Sequence, residues 1–233
     1  MALKLQREVN YQMSTVLYIL IGIFDASAVI ILALTLYRLP VKDYAKEIII
    51  MSLGISLFSY LMRMVLEIPS LDLPIQMILF ILFFRFGLKI KLFYSGLITS
   101  ASLNAYIIFQ LFILYGFITA GTLDYNVVFQ THNYQIQLIQ ILSIIVSYLI
   151  SFSLYKFGWG FSFIVTPPHQ FSIKEDYFSG NNKVLLLTTL STLIVVSLAL
   201  LVTFNFYAVF LIPSIMIVYS ISYYFSRKRE IQG

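Results

Sequence analysis

The chain has 233 residues, of which 60% are hydrophobic and 11% charged, with a formal net charge of +5. Soluble domains run nearer about half apolar and a quarter charged. A water-soluble globule of this size has too little interior to hide so much apolar surface, so a soluble fold is excluded and a bilayer is implied as the host solvent. Its hydrocarbon core is about 30 Å thick, so each span needs roughly 20 apolar residues. Backbone polar groups must be satisfied within the span, by helices or a closed barrel. The apolar runs are continuous rather than alternating, which selects helices. A pI near 9.3 does not point to nucleic acid here. Lys and Arg stand singly between apolar runs, as on the flanks of membrane helices. The absence of cysteine excludes disulfides, thiolate catalysis and cysteine metal sites. The first apolar run is too long for a signal-peptide core and lacks a small-residue cleavage site.

In chain order, span one is expected from about Thr15 to Tyr37, ending at Arg38-Leu39-Pro40, where proline discourages further helix. Span two covers about Ile48 to Leu66 and stops at Glu67-Ile68-Pro69. Span three begins near Leu73-Pro74, with proline tolerated in the first turn, and ends near Gly87. Span four covers about Leu92 to Gly116, and span five about Tyr134 to Tyr155. Between Gly158 and Lys183 lies the longest polar connection, holding Pro167-Pro168 and a Gly180-Asn181-Asn182 turn signal. The last apolar stretch, Val184 to Phe225, has 42 residues. As one helix it would be about 63 Å long, roughly twice the core thickness. It is therefore read as two spans, 184–204 and 206–225, joined by a turn at Asn205. The expectation is an all-α polytopic bundle of about seven helices (six to seven), forming a single membrane domain over 1–233.

Basic residues alternate strictly over the connections. Arg38, Lys42 and Lys46 follow span one; Arg85, Lys89 and Lys91 follow span three; Lys156, Lys174 and Lys183 follow span five; Arg227, Lys228 and Arg229 follow span seven. The intervening connections have none. The positive-inside rule then places the C-terminus in the cytoplasm and, with seven spans, the N-terminus outside the cell membrane. Lys4 and Arg7 conflict with this. Either the first residues form an interfacial helix and the spans are fewer, or translation starts at Met13.

Asp25 is the most informative residue, because a charge in mid-span costs about 3 kcal/mol or more and normally acquires a partner. Arg63, near the outer end of span two, is the nearest candidate, and an ion pair that shifts with a ligand is the functional reading. The plainer reading is a protonated Asp25 and an Arg63 snorkelling to the headgroups. Asn104 lies in mid-span four among small residues, where an interhelical hydrogen bond is the plainer alternative to ligand contact. Gln110, with Gln135, Gln137 and Gln140, flanks the loop Gly121 to Asn133. With Glu67 and Asp72 of the preceding outer loop, they outline either a polar vestibule or ordinary interfacial solvation. Pro213 interrupts span seven and is read as a structural hinge or as mere shape. His132 and His169 are expected on opposite sides of the membrane and so share no metal. No zinc-protease, nucleophile-elbow or phosphate-loop signature occurs, and only one carboxylate lies deep in a span, so no catalytic residue, metal or cofactor is expected.

Three stretches carry a resemblance: Leu36-Tyr37-Arg38-Leu39-Pro40-Val41-Lys42 after span one, Ser59-Tyr60-Leu61-Met62-Arg63 late in span two, and Phe84-Arg85-Phe86-Gly87-Leu88-Lys89 after span three. In these the chain resembles the membrane sensor portion of Gram-positive histidine kinases of the peptide-pheromone type, and the resemblance extends over nearly the whole chain. Such kinases continue into a dimerising helix, a phosphoacceptor histidine and an ATP-binding domain. No histidine follows the last span here. The resemblance therefore implies at most an orphan input module, or one acting on a separately supplied partner, a histidine kinase or another membrane protein. Three functions stand open: a non-enzymatic sensor or regulatory module, a small transporter or permease subunit, and a scaffold for another membrane protein. No nucleic-acid partner is expected. Against transport, no pair of Gly- or Pro-broken helices from repeated halves is evident.

Overall fold

The computed structural model describes residues 2–123, 134–169, 178, 180–203 and 208–232, and side chains in the N-terminal helix from Thr15 onward. Among these residues the architecture is wholly helical. The order is α1 (Ala2–Leu36), α2 (Ala45–Tyr60), α3 (Pro69–Leu82), α4 (Leu92–Thr119), α5 (Tyr134–Phe157), α6 (Gly180–Thr203) and α7 (Ala208–Gln232). Both α2 and α3 run on into single π-helical turns, Leu61–Val65 and Phe83–Gly87. Five stretches are long and apolar enough to cross a membrane: Thr15–Leu36, Lys42–Val65, Pro69–Gly87, Leu92–Thr119 and Gln135–Phe157. They mark the chain as a membrane protein.

Several boundaries differ from the sequence reading. Helix α3 starts at Pro69 rather than near Leu73, because Pro69 supplies the pre-set φ of a first helical turn. That shift moves Asp72 from an outer loop into the helix. The Gly180-Asn181-Asn182 segment opens α6 instead of forming a separate turn. Helix α1 is continuous from Ala2 into the first span, with no separate interfacial helix. Helix α7 is continuous through Pro213. The turn placed at Asn205, the greater part of the loop Gly121 to Asn133, His132 and Lys174 lie outside the described residues.

Three connections are closed by one device. At Arg38, Glu67 and Lys89 the chain turns into the left-handed region, with φ of 50°, 56° and 56°. The next amide then reaches back across the turn: Leu39 N to Leu34 O at 2.8 Å, Ile68 N to Met62 O at 2.9 Å and Ile90 N to Phe84 O at 3.0 Å. Carbonyls that a helix end leaves orphaned are thereby satisfied. Each left-handed residue is charged and exposed, so its side chain stays in a polar layer while the backbone turns.

Helix α4 is the axis of the bundle, packing against α1, α3, α5, α6 and α7. Every residue from Tyr94 to Tyr106 is buried. That run holds Ser95, Gly96, Thr99, Ser100, Ala101, Ser102 and Ala105, whose small side chains let neighbouring backbones approach. Their hydroxyls bond back to the preceding turn, as in Thr99 Oγ1 to Ser95 O at 2.8 Å and Ser102 Oγ to Thr99 O at 3.1 Å. They therefore enter the core already satisfied. Around them lies a dry core of Ile30, Leu34, Phe84, Ile90, Leu97, Ile98 and Leu185.

The C-terminal ends of α1, α3, α5 and α7 meet the N-terminal ends of α2, α4 and α6 at one end of the bundle. Arg38, Lys42, Lys46, Arg85, Lys89, Lys91, Lys156, Lys183, Arg227, Lys228 and Arg229 all flank these helix termini. The loop after α5 folds across this end. Phe161 N donates to Leu36 O at 2.8 Å, Tyr44 Oη to Pro167 O at 3.2 Å, and His169 N to Lys89 O at 3.1 Å. His169 Nδ1 accepts from Lys91 N at 3.1 Å, which leaves Nε2 to donate to Val165 O at 2.7 Å, so both ring nitrogens are occupied. The tail of α7 is held by the same loop. Arg229 donates to Tyr94 Oη at 2.8 Å and stacks over the Phe163 ring at 5.1 Å. Glu230 accepts from the Ser162 and Phe163 amides at 2.6 and 3.0 Å. Partial burial works against its charge, but these amides, the Ser162 hydroxyl and the nearby Arg38 prevail and hold its carboxyl below the usual glutamate range.

Gly160 is where this loop comes closest to α1. Its φ is +122°, and a Cβ there would lie 2.6 Å from Leu36 O. Gly160→Ala should therefore cost about 2 kcal/mol and visibly lower the melting temperature of the detergent-solubilised protein. Gly116→Ala, with nothing within 4 Å of its added Cβ, should leave the melting temperature unchanged or raise it. Equal effects of the two changes would contradict this packing.

Candidate functional site

The half of the bundle away from the basic end encloses a cavity of about 310 Å³. The helical pattern explains which side chains reach it. Tyr18, Gly22, Asp25 and Val29 follow one another at three- and four-residue steps on α1, so they form one stripe. Ile55, Ser56, Ser59 and Arg63 make the matching stripe of α2 and its π turn, and Leu73, Gln76 and Phe80 that of α3. From α4 come Leu103, Tyr106, Ile107, Gln110, Leu111, Leu114 and Tyr115; Ile136, Gln140 and Ile215 complete the wall. No residue of α4 before Leu103 lines it, so along α4 the cavity stops at Leu103, and Ile98 and Leu97 beyond it are fully buried.

Asp72 organises one wall. It is completely buried, and it accepts from Ser59 Oγ at 2.9 Å, from Gln76 Nε2 at 2.7 Å and from Arg63 Nε in a short ion pair. The direct Asp25–Arg63 pair, one of the two readings weighed from the sequence, is not formed; Arg63 pairs with Asp72 instead. The reason is the early start of α3, which brings the first turn of that helix against the end of α2. Asp72 is accordingly not part of a vestibule rim. Tyr18 Oη extends the chain to Ser59 Oγ at 3.1 Å, tying α1 to the same network.

Asp25 belongs to a second wall. It is half-buried, its carboxylate accepts a short hydrogen bond from Tyr106 Oη of α4, and the Gln140 amide of α5 is a further donor. Beneath it, Ser27 Oγ meets Tyr148 Oη at 2.6 Å, and Ser147 Oγ donates to Ala28 O at 3.3 Å, which seams α1 to α5. Gly22 allows the α1–α2 contact above. A Cβ there would meet Ser56 Oγ at 2.5 Å, and that hydroxyl donates to Ile19 O at 2.7 Å.

Of the residues singled out in the sequence, Asp25, Arg63, Gln110 and Gln140 converge on the cavity. Asn104 does not line it; its Nδ2 donates to Thr192 Oγ1 at 2.9 Å, a buried link between α4 and α6. Pro213 is exposed, two residues from Ile215, which lines the cavity. Tyr18, Ser59, Gln76 and Tyr106 were not anticipated. The signal for them was spacing: Ser59 and Arg63, like Asp72 and Gln76, are four residues apart, so each pair shares a helix face.

No family model matches this chain, and neither the curated proteins nor the solved structures contain a significant match to it.

The unequal burial of the ion pair makes a directional prediction. Arg63 has a side-chain exposure of 37% and Asp72 of 0%. Arg63→Ala strands a fully enclosed carboxylate and should cost about 3–5 kcal/mol. Asp72→Ala leaves an arginine able to reach water, and should cost clearly less. Chemical unfolding of the purified variants at neutral pH measures both. Equal costs, or the reverse order, would refute this account of the wall.

Proposed function

We propose that the chain is a non-enzymatic, seven-span sensor module of the cell membrane, which takes a small ligand in the cavity and acts through a separate partner. In this reading the basic end faces the cytoplasm, following the positive-inside rule. The cavity lies in the outer half. The observation that carries the proposal is the confinement of the cavity to that half, with a dry core and a strapped loop closing the other. A blind cavity retains its ligand and passes nothing through. Two of its lining helices, α1 and α7, continue to the basic end, where Leu36 and Glu230 are bonded to the same loop. Ligand-dependent movement of either helix would therefore be felt where a cytoplasmic or membrane partner can read it. The resemblance to histidine-kinase sensor portions supports a kinase as that partner.

A polar cavity at mid-depth also fits a transporter held in one state, with Asp25 as the coupling group. Two experiments separate the readings. Photo-cross-linking from the basic end in native membranes should recover a kinase or another regulator. Proteoliposomes containing the protein should show no ion-coupled flux. Flux that falls sharply in Asp25→Asn, with no regulator recovered, would replace the sensor reading by the transporter.

A further inference from the structure

The cavity has an unbalanced charge. Among the described residues the wall itself carries one carboxylate, Asp25, and one guanidinium, Arg63, and Arg63 is paired through Nε with Asp72, which lies behind the wall and is fully buried. No Lys among the described residues lines the wall. Among the described residues Asp25 forms no ion pair; its partners are the Tyr106 hydroxyl and the Gln140 amide. A carboxylate enclosed in a bundle without a counter-charge is costly. Either a proton on Asp25 or a cationic ligand beside it removes that cost, and the titration below separates the two. The rest of the wall is suited to an apolar body with a cationic head. Val29, Leu103, Ile107 and Leu111 are aliphatic, and Tyr18, Phe80, Tyr106 and Tyr115 are aromatic, a residue type to which organic cations are attracted. At about 310 Å³ the cavity sits at the lower end of the roughly 300–1,000 Å³ of small-molecule sites.

We propose that the cavity binds a small organic ammonium ion, with its nitrogen on Asp25 between Tyr106 and Gln140 and its apolar body among the aliphatic side chains of α4. This assignment rests on the sensor reading for its purpose, but on the charge and shape of the cavity for its chemistry. Anionic ligands meet Asp25 directly and are excluded. Arg63 faces the same space, but its charge is already matched by Asp72.

The test uses the full chain in lipid nanodiscs, with calorimetric titration of phenethylammonium and of 2-phenylethanol, a neutral molecule of similar shape. Empty nanodiscs subtract partition into lipid. The wild type should bind the ammonium ion at least about tenfold more tightly than the alcohol. Asp25→Asn should lose about tenfold or more for the ammonium ion and leave the alcohol unchanged. Equal binding of the two probes, an unaffected Asp25→Asn, or no binding of the ammonium ion would overturn the proposal. The wild-type comparison stands even where the variant fails to fold. Recovery of a regulator by cross-linking without ammonium binding would remove only the ligand assignment. Ammonium binding without a regulator would remove only the sensor reading.

Discussion

A carboxylate with no water around it must find donors within reach, and Asp72 meets that requirement by drawing three of them from two helices. Ser59 and Arg63 come from α2 and its π turn, and Gln76 from one turn further along α3. Because Asp72 is wholly enclosed, the ends of α2 and α3 cannot separate without exposing an unpaired charge to apolar surroundings. That constraint fixes more than a hairpin. It directs Arg63 into the cavity wall and spends its charge there. It then leaves Asp25, on the facing helix, to the weaker donors Tyr106 and Gln140. The polarity of the cavity follows from one pairing made elsewhere.

The two halves of the bundle use polar residues differently. Toward the basic end, the Ser and Thr side chains of α4 close on their own helix and sit among apolar side chains such as Ile30, Leu34, Leu97 and Ile98. Such hydroxyls permit close packing without requiring a partner. Toward the other end, side chains with more donors and acceptors bond across helices, and packing gives way to a cavity. The change occurs near Leu103, so α4 serves as the buried axis in one half and as a cavity wall in the other.

Much of the architecture was legible in the sequence because the bilayer imposes a strict length on apolar runs. The stretches 15–37, 92–116 and 134–155 fall close to helical segments for that reason. What was not legible depended on local backbone choices. Nothing in Glu67-Ile68-Pro69 announces a left-handed glutamate, since glycine is the usual residue there. With that turn missed, α3 was started four residues late and Asp72 was left in a loop. Asp72 was therefore not considered as a partner for Arg63, and the Asp25–Arg63 pair stood as one of two readings. Distance along neighbouring helices made the pair reasonable, but a closer carboxylate competes better for a single guanidinium. Gln140 and Gln110 were visible as polar residues at span ends, yet only the packing of α5 and α4 against α1 shows that they face the same space as Asp25.

The central proposal is that the cavity beside Asp25 is reached from the side opposite the basic residues, taken as the cell exterior in the proposed orientation, and ends at Leu103 of α4. The chain contains no cysteine, so single cysteines report individual positions without interference. Gln110→Cys and Gln140→Cys, on the cavity wall, should react with a membrane-impermeant cationic thiol reagent added from outside cells. Ser100→Cys and Ala33→Cys, in the dry half, should not react from either side. Labelling of the last two from outside would mean a continuous pathway through the bundle, and silence at the first two would mean that no accessible cavity exists.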